Sequence, residues 1–219
     1  MSTQETNRIE RYPAGTRINH WLVALSFVLL ALSGLALFHP ALFWLSALLG
    51  GGPWTRILHP FIGCFMFLAF FWLAAHVWRD NFMQARDWLW LRRMRDVIDN
   101  QEENLPEVGR YNAGQKLLFL TLVVCMICLL LSGIVIWRVY FSAYFPIRLI
   151  RLAALLHAFF AFVLIASIVV HIYAGIWVKG SIRAMTRGSV SPGWAWKHHR
   201  AWYRTVMRSA SRGSAPPPR

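Results

Sequence analysis

Four long runs of apolar residues constrain this chain more than any other feature. The runs lie at about residues 18–38, 57–78, 115–137 and 149–178. A helix needs about 20 mainly apolar residues to cross a bilayer, and a segment in lipid must satisfy its backbone hydrogen bonds internally. The runs therefore predict an all-α integral membrane protein, built as a bundle of four transmembrane helices.

The composition supports a membrane protein over a soluble one. Only 15% of the 219 residues are charged, whereas soluble globular domains carry about 25%. In a soluble protein, the net charge of +14 would suggest that the chain binds nucleic acid. Here the Lys and Arg residues lie between the apolar runs, so they are better explained by membrane orientation.

The distribution of Lys and Arg predicts that orientation. Residues 1–17 hold three of them, residues 79–116 hold seven, and the tail from residue 178 onward holds nine. The other two connections hold four together, which makes nineteen against four. Because cytoplasmic loops are enriched in Lys and Arg, both termini and the long central loop are predicted to be cytoplasmic.

The chain accordingly divides into an N-terminal segment (1–17), a transmembrane domain (18–178) that includes a cytoplasmic loop (79–114), and a basic tail (179–219). The start of the loop alternates Trp and Leu with basic clusters, which predicts an interfacial helix. The tail is basic and aromatic. One interpretation is that it packs on the membrane surface or against a partner, and the other is that it is simply solvated. Its end, "SRGSAPPPR", is predicted to be disordered.

Two histidines lie in the fourth apolar run, His157 and His171. Ionisable residues inside a membrane are candidates for function. Fourteen residues turn a helix to within 40° of four full turns, so both imidazoles share one face, about 21 Å apart. That separation is long for a proton relay but suits two cofactors stacked across the bilayer. Imidazole ligates iron well, and a haem held by two histidines carries electrons. One interpretation of His157 and His171 is therefore that each ligates a haem, and the other is that both are packed core residues.

Two haems require two further histidines, one at each level. His20 and His76 are the candidates at the cytoplasmic side, level with His171, and His59 and His39 are the candidates at the outer side, level with His157. In each of the first two helices the two histidines lie about 100° apart around the axis. The spacing allows one ligand from each helix without deciding which.

Small residues inside the spans have two interpretations. Gly34, Gly63, Gly133 and Gly175 either allow close helix packing or leave space for a flat macrocycle. Cys125 and Cys128 form a CxxC, which is a redox or metal motif in some proteins. With no second CxxC and no charge nearby, these cysteines are better explained as small apolar packing residues. No CxxCH is present, so any haem is held non-covalently.

The sequence resembles a known family, the gamma subunit of respiratory formate dehydrogenase, which is a membrane cytochrome b. The resemblance runs from about residue 17 to 204. It is carried by an ordered set of motifs: "INHWLVALSF", "LSGLALFHP", "RILHPFIG", "VGRYNAGQKLLF", "GIVIWRVYFSAYFP", "LLHAFFAFVLIASIVVHIYAGIWVKGSI" and "WKHHRAWYR".

The resemblance implies a four-helix bundle in the bacterial inner membrane with two non-covalent b-type haems. The implied ligands are His20 and His171 for the cytoplasmic-side haem and His59 and His157 for the outer haem, which leaves His39 and His76 as bystanders. It also implies a menaquinone or ubiquinone site beside the cytoplasmic-side haem. Asn112 and Gly114 of "YNAGQK" match that site, with Gln115 close by. Without the resemblance, Asn112 would be interpreted as a helix cap.

The implied partners are an iron–sulfur beta subunit and a catalytic alpha subunit with molybdenum or tungsten, in a complex that can form a higher oligomer. Electrons from formate would pass through the iron–sulfur subunit and the two haems to quinone, which takes its protons from the cytoplasm. This chain would be the quinone-reactive subunit and carry no catalytic residue for formate.

Two other functions remain open at this stage. A cytochrome b subunit of a hydrogenase or another respiratory reductase shares the bundle and the haems, although "YNAGQK" and "WVKGSI" favour formate dehydrogenase. A haem-free membrane anchor would use its histidines for packing and would not need two pairs at matched levels. A transporter is disfavoured because the spans show neither paired broken helices nor an intramembrane acidic residue.

Overall fold

The computed structural model describes residues 8–99 and 101–211. Within these residues the chain forms nine α-helices: α1 (Ala14–Phe38), α2 (Gly52–Val77), α3 (Ala85–Arg92), α4 (Met94–Ile98), α5 (Ala113–Ile136), α6 (Ile147–Trp177), α7 (Ser181–Arg187), α8 (Pro192–His198) and α9 (Arg200–Ser211). Two short strands, β1 (Ile9–Glu10) and β2 (Ser189–Val190), pair antiparallel.

Four helices of the described chain are long and apolar enough to cross a membrane: Ala14–Phe38, Gly52–Asn81, Ala113–Ile136 and Ile147–Trp177. They coincide with the four predicted spans, so the predicted all-α membrane fold is confirmed. Their outer faces expose large apolar side chains, including Leu25, Leu68 and Leu155. A soluble monomer rarely exposes contiguous apolar surface of this kind, whereas lipid covers it.

The four long helices begin two to five residues before the predicted spans. Prolines lie at three of these starts, with Pro13 and Pro146 just before α1 and α6 and Pro53 as the second residue of α2. Proline has no backbone N–H and its φ is already helical, so it favours the first turn of a helix. Hydropathy detects only the part of a helix that is suited to lipid and misses these polar or basic first turns.

A 3-10 helix, Pro40–Leu49, connects α1 to α2. It ends at Gly50 and Gly51, whose φ angles are 86° and 95°. Residues with a Cβ rarely adopt this left-handed backbone conformation. The two glycines thus allow the chain to reverse and enter α2 at Gly52.

The chain divides into two compact units. The bundle unit consists of Ile18–Ala74 and Leu120–Tyr173, and so contains most of each long helix. The terminal unit consists of the described parts of Met1–Arg17, Ala75–Phe119 and Ala174–Arg219. It brings together the described parts of the N-terminal segment, the central loop and the C-terminal tail, which the sequence treats as three separate segments.

Polar and aromatic contacts join the helices of the bundle unit. The Asn19 side chain on α1 donates to the carbonyl of Ala69 on α2 at 2.8 Å. The rings of Phe38 on α1 and Phe162 on α6 meet edge to face, with centroids 5.2 Å apart. Buried apolar residues, including Met66, Phe70, Cys125 and Leu164, fill the interior. All three cysteines are free thiols.

The terminal unit has a small core of its own, formed by Ile9, Ala184, Val190, Ala195 and Trp202. The C-terminal tail therefore folds as α7, β2, α8 and α9 and packs against the chain's own N-terminal segment. The interpretation that the tail is simply solvated is wrong for residues up to 211, because Ala195 and Trp202 are buried. The predicted disordered end is residues 211–219. Ser211 is the last residue of α9, and the other eight residues lie outside the described part of the chain.

The buried side chain of Arg11 links the three segments of the terminal unit. It donates to the carbonyl of Arg110 at 2.6 Å, and its guanidinium lies over the rings of Trp194 and Trp202, 5.1 and 4.7 Å from their centroids. A cation desolvated against aromatic faces is stabilised by about 2 kcal/mol.

The central loop contributes α3 and α4, which are helical as the sequence predicts.

Candidate functional site

Two pairs of histidines meet inside the bundle unit. The rings of His59 on α2 and His157 on α6 have centroids 6.4 Å apart. The rings of His20 on α1 and His171 on α6 have centroids 6.2 Å apart. Among the alternatives that the helical spacing left open, the structure thus pairs His20 and His59 with the two histidines of α6.

The remaining histidines of the first two helices are placed differently. His39 follows the end of α1 and caps the 3-10 helix, since its Nδ1 accepts the backbone N–H of Ala41 at 3.2 Å. His76 lies in the last turn of α2, within the terminal unit.

The separation within each pair matches two imidazoles that share one metal ion. Metal–imidazole bonds are about 2.0–2.1 Å long in proteins, as measured for zinc. The ligating nitrogen lies about 1.1 Å from its ring centre, so rings on opposite sides of one metal have centres about 6.3 Å apart. The observed 6.2 and 6.4 Å agree with this value.

The donor set indicates what kind of metal group fits. In the described residues there is no group of three or more His, Cys, Asp or Glu side chains that could hold a bare metal ion. Each histidine pair therefore offers two imidazoles and no third side chain of these types. Iron in a porphyrin receives four nitrogens from the macrocycle and needs only these two, as in bis-His cytochromes. The residues present fit haem.

Serines orient the rings of His59 and His157. The hydroxyl of Ser33 on α1 lies 2.7 Å from Nδ1 of His59, and the hydroxyl of Ser132 on α5 lies 3.0 Å from Nδ1 of His157. With Nδ1 engaged in each ring, Nε2 is the nitrogen left for a metal. Both serines lie outside the set of residues predicted from the sequence, although the Leu-Ser-Gly tripeptide that contains them appears in the first and third spans.

Glycines make room for the same two rings. A Cβ added to Gly34 would lie 3.4 Å from Cε1 of His59, and one added to Gly133 would lie 3.4 Å from Cε1 of His157. At 3.4 Å an added Cβ would be in ordinary van der Waals contact with the imidazole, so each glycine lies directly against its ring. Close approach to the imidazoles thus explains two of the four glycines that the sequence singles out.

A cavity of about 590 Å³ adjoins the His59–His157 pair. Its walls are mainly aliphatic and aromatic side chains of the bundle unit, with Gly34, Gly63 and Gly133 among them. Two cations, Arg56 and Arg138, also line it. Cofactor sites commonly combine an apolar cavity of 300–1,000 Å³ with a few polar groups. In the sequence these two arginines indicate only the membrane orientation.

The residues matched to a quinone site lie in the terminal unit at the start of α5. The side-chain oxygen of Asn112 accepts the backbone N–H of Gln115 at 2.8 Å, and the Gln115 side chain accepts the N–H of Asn112 at 3.0 Å. This reciprocal pair is a capping box, so the helix-cap interpretation of Asn112 holds. The Asn112 NH₂ group has no hydrogen-bond partner within the described residues. Gly114 packs on Trp90, since an added Cβ would lie 3.5 Å from that ring.

Comparisons with known proteins agree with the fold and with the resemblance. The family model of prokaryotic cytochrome b561 matches residues 11–188. The cytochrome b556(fdo) subunit of formate dehydrogenase from Escherichia coli strain K12 is 44% identical over 204 residues, which are 93% of this chain and 96% of the relative.

Two further relatives are similar over comparable lengths. The formate dehydrogenase cytochrome b556 subunit of Haemophilus influenzae is 44% identical over 92% of this chain and 85% of its own. The nitrate-inducible cytochrome b556(Fdn) subunit of Escherichia coli strain K12 is 40% identical over 90% of each chain. The resemblance to formate dehydrogenase gamma subunits is confirmed.

Proposed function

The chain belongs to the prokaryotic cytochrome b561 family, and on this premise we propose that it is the membrane electron-transfer subunit of a formate dehydrogenase. In this proposal it passes electrons from an iron–sulfur subunit through two b haems to menaquinone or ubiquinone. The observation that carries the proposal is the pair of cross-helix histidine contacts, with centroids 6.2 and 6.4 Å apart. A membrane anchor without haem has no need of either spacing.

The four imidazoles would hold the two haems through their iron. His59 and His157 would hold the outer haem, and His20 and His171 the cytoplasmic-side haem. When bound, each haem supplies one-electron oxidation and reduction at its iron. With two imidazoles bound, the iron would have no position open for oxygen, which suits electron transfer better than oxygen chemistry.

Arg56 and Arg138 would stabilise the outer haem through its propionates. Both line the cavity beside His59 and His157, and a guanidinium pairs well with a carboxylate. The apolar remainder of the wall excludes water from the macrocycle. The chain thus offers cations for the acidic edge of a haem and hydrocarbon for its flat faces.

The quinone would bind at the start of α5. The amide NH₂ of Asn112 is suited to donate a hydrogen bond to a quinone carbonyl, since the Asn112 oxygen is already used in the capping box. Gly114 and Gln115 flank it on the same turn. Quinone reduction consumes protons, and the Lys and Arg distribution indicates that this turn lies on the cytoplasmic side, so proton uptake there would contribute to the membrane potential.

The test is purification of the native complex in detergent, with haem quantitation and formate-driven reduction. We expect two b haems per copy of this chain, both reduced by formate and reoxidised by a quinone analogue. Reduction by hydrogen without any response to formate would assign the chain to a hydrogenase. One haem or none would overturn the proposed pairs, and complete absence of haem would leave a membrane anchor.

A further inference from the structure

The same tripeptide, Leu-Ser-Gly, stands beside both histidines of the outer pair. It occupies residues 32–34 on α1 and residues 131–133 on α5. In each copy the serine hydroxyl contacts Nδ1 of a histidine on another helix, and the glycine lies 3.4 Å from Cε1 of the same ring, measured from an added Cβ. Two separate helices thus provide the same two contacts to two imidazoles.

The direction of the serine–histidine hydrogen bonds follows from the other bonds that the hydroxyls make. Ser132 donates to the carbonyl of Cys128 at 2.6 Å, and Ser33 donates to the carbonyl of Leu30 at 3.2 Å. A hydroxyl has one hydrogen to donate. With that hydrogen directed to the helix carbonyl, the serine oxygen would accept from the imidazole, so that Nδ1 of His59 and of His157 would carry the hydrogen and Nε2 would keep its lone pair.

We propose that Ser33 and Ser132 are positioning residues that fix the ring orientation and the tautomer of the outer histidine pair and lower the reduction potential of the outer haem. The inference rests on the proposed function, since it assumes that this pair ligates haem. A hydrogen bond accepted from the far side of a ligating imidazole makes that imidazole a stronger donor to the metal. A stronger donor stabilises the oxidised iron, and the potential falls.

The effect is specific to the outer pair. In the described residues, Nδ1 of His20 is buried without a hydrogen-bond partner. Among the described residues, neither His20 nor His171 has a serine hydroxyl on a ring nitrogen of the kind that Ser33 places on His59. A change at Ser33 or Ser132 is therefore expected to move the outer potential and leave the inner one unchanged.

The experiment uses the complete complex with Ser33→Ala and Ser132→Ala introduced singly. Ser26→Ala is the matched control, because Ser26 lies on α1 and its hydroxyl makes the same kind of intrahelical bond, to the carbonyl of Leu22 at 2.8 Å. The two haem signals are first assigned with His157→Ala. Redox titration then gives the potential of each haem, and electron paramagnetic resonance gives the g-values, which depend on the orientation of the imidazole planes.

We expect both serine variants to shift the outer potential to more positive values and to change the outer g-values. Ser33→Thr keeps a hydroxyl and should restore the potential. Loss of the outer haem alone in Ser33→Ala, with restoration by Ser33→Thr, also supports the proposal. Loss of the outer haem to the same extent in Ser33→Ala and Ser33→Thr overturns the proposal. The proposal is also overturned if the outer haem of Ser33→Ala and Ser132→Ala has the same potential and g-values as that of Ser26→Ala. A native complex with fewer than two haems defeats the proposed function instead, before any serine is changed.

Discussion

Asp87 and Lys116 form an ion pair of 2.7 Å in the terminal unit, with side chains only 7% and 4% exposed. Lys116 also donates to the carbonyl of Phe82 at 3.0 Å. Asp87 accepts the backbone N–H of Gln84 at 2.7 Å at the start of α3. The pair therefore fastens α3 to the first turn of α5, one turn after the capping box of Asn112.

Asp87→Asn is expected to loosen this junction strongly, because it leaves the Lys116 charge buried and unpaired. Breaking a buried pair on one side costs about 3–5 kcal/mol, which corresponds to amide exchange about two to four orders of magnitude faster in α3. Hydrogen exchange measures this directly. The control is Glu107→Gln, which breaks an exposed pair with Arg204 worth about 0–1 kcal/mol. Equal exchange in both variants would contradict the prediction.

His157→Ala is expected to remove the outer haem and to block electron flow from formate to quinone. Formate oxidation with a soluble dye should continue, because in the proposed function a separate subunit oxidises formate. The visible spectrum and the two assays measure these effects. His39→Ala serves as the control, since His39 only caps a 3-10 helix. Retention of both haems in His157→Ala would refute the ligand assignment.

Arg56→Gln or Arg138→Gln is expected to shift the outer haem to a more negative potential. Removal of a positive charge beside the cofactor makes it harder to add an electron, while the histidine ligands stay in place. Redox titration of the purified complex measures the shift. Arg148→Gln is the matched control on the same predicted side of the membrane, because Arg148 is not part of the cavity wall. A shift of the same size in that control would show a general charge effect.

Asn112→Ala is expected to preserve both haem signals and to slow quinone reduction. The substitution also removes a helix cap, at a cost of about 1 kcal/mol. Asn112→Ser separates the two roles, because serine caps a helix well but has no amide NH₂. Slow quinone reduction in both variants, measured with a water-soluble quinone, supports the site. A normal rate in Asn112→Ser would show that Asn112 acts only as a cap.

The packing of the C-terminal tail is expected to weaken in mild acid. Burial above all, and then the charge of Arg11, hold the pKa of His199 well below its ordinary value. The charges of His198 and Arg110 act in the same direction, and the bond between Nδ1 of His199 and the carbonyl of Gly109 acts against them. The folded tail therefore keeps His199 neutral.

The sign follows from proton uptake. Below about pH 6.5 the unfolded tail binds a proton that the folded tail does not, so stability falls as the pH decreases and is fully present above that range. Limited proteolysis of the tail between pH 7.5 and pH 5.5 measures this. His199→Gln should flatten the pH dependence, whereas His198→Gln should keep it. An unchanged slope in His199→Gln would assign the effect to another group.

The bundle could be predicted from the sequence because lipid imposes one strong rule on each span. Twenty apolar residues and an internally bonded backbone leave only a helix, and the four runs coincide with the four long helices. The shared face of His157 and His171 follows from helical geometry alone. The spacing could not choose between His20 and His76, because that choice depends on how separate helices rotate against one another.

Contacts between distant segments were the features that the sequence did not reveal. Ser33 and His59 are 26 residues apart, and Ser132 and His157 are 25 apart, so no local pattern connects them. The folding of the tail depends on Arg11, which bonds to Arg110 and to His199 across 99 and 188 residues. A charge run alone gives no sign that a cation will be buried among tryptophans.

The continuity of α6 has a consequence for evolution. Because one unbroken helix carries an imidazole of each pair, a single inserted residue between His157 and His171 would turn one of them by 100° and advance it by about 1.5 Å. In the proposed function, substitutions could alter the chemistry of either haem site, whereas the distance between the two sites would be set by the rise of the helix between His157 and His171. Substitutions alone would therefore leave that distance unchanged.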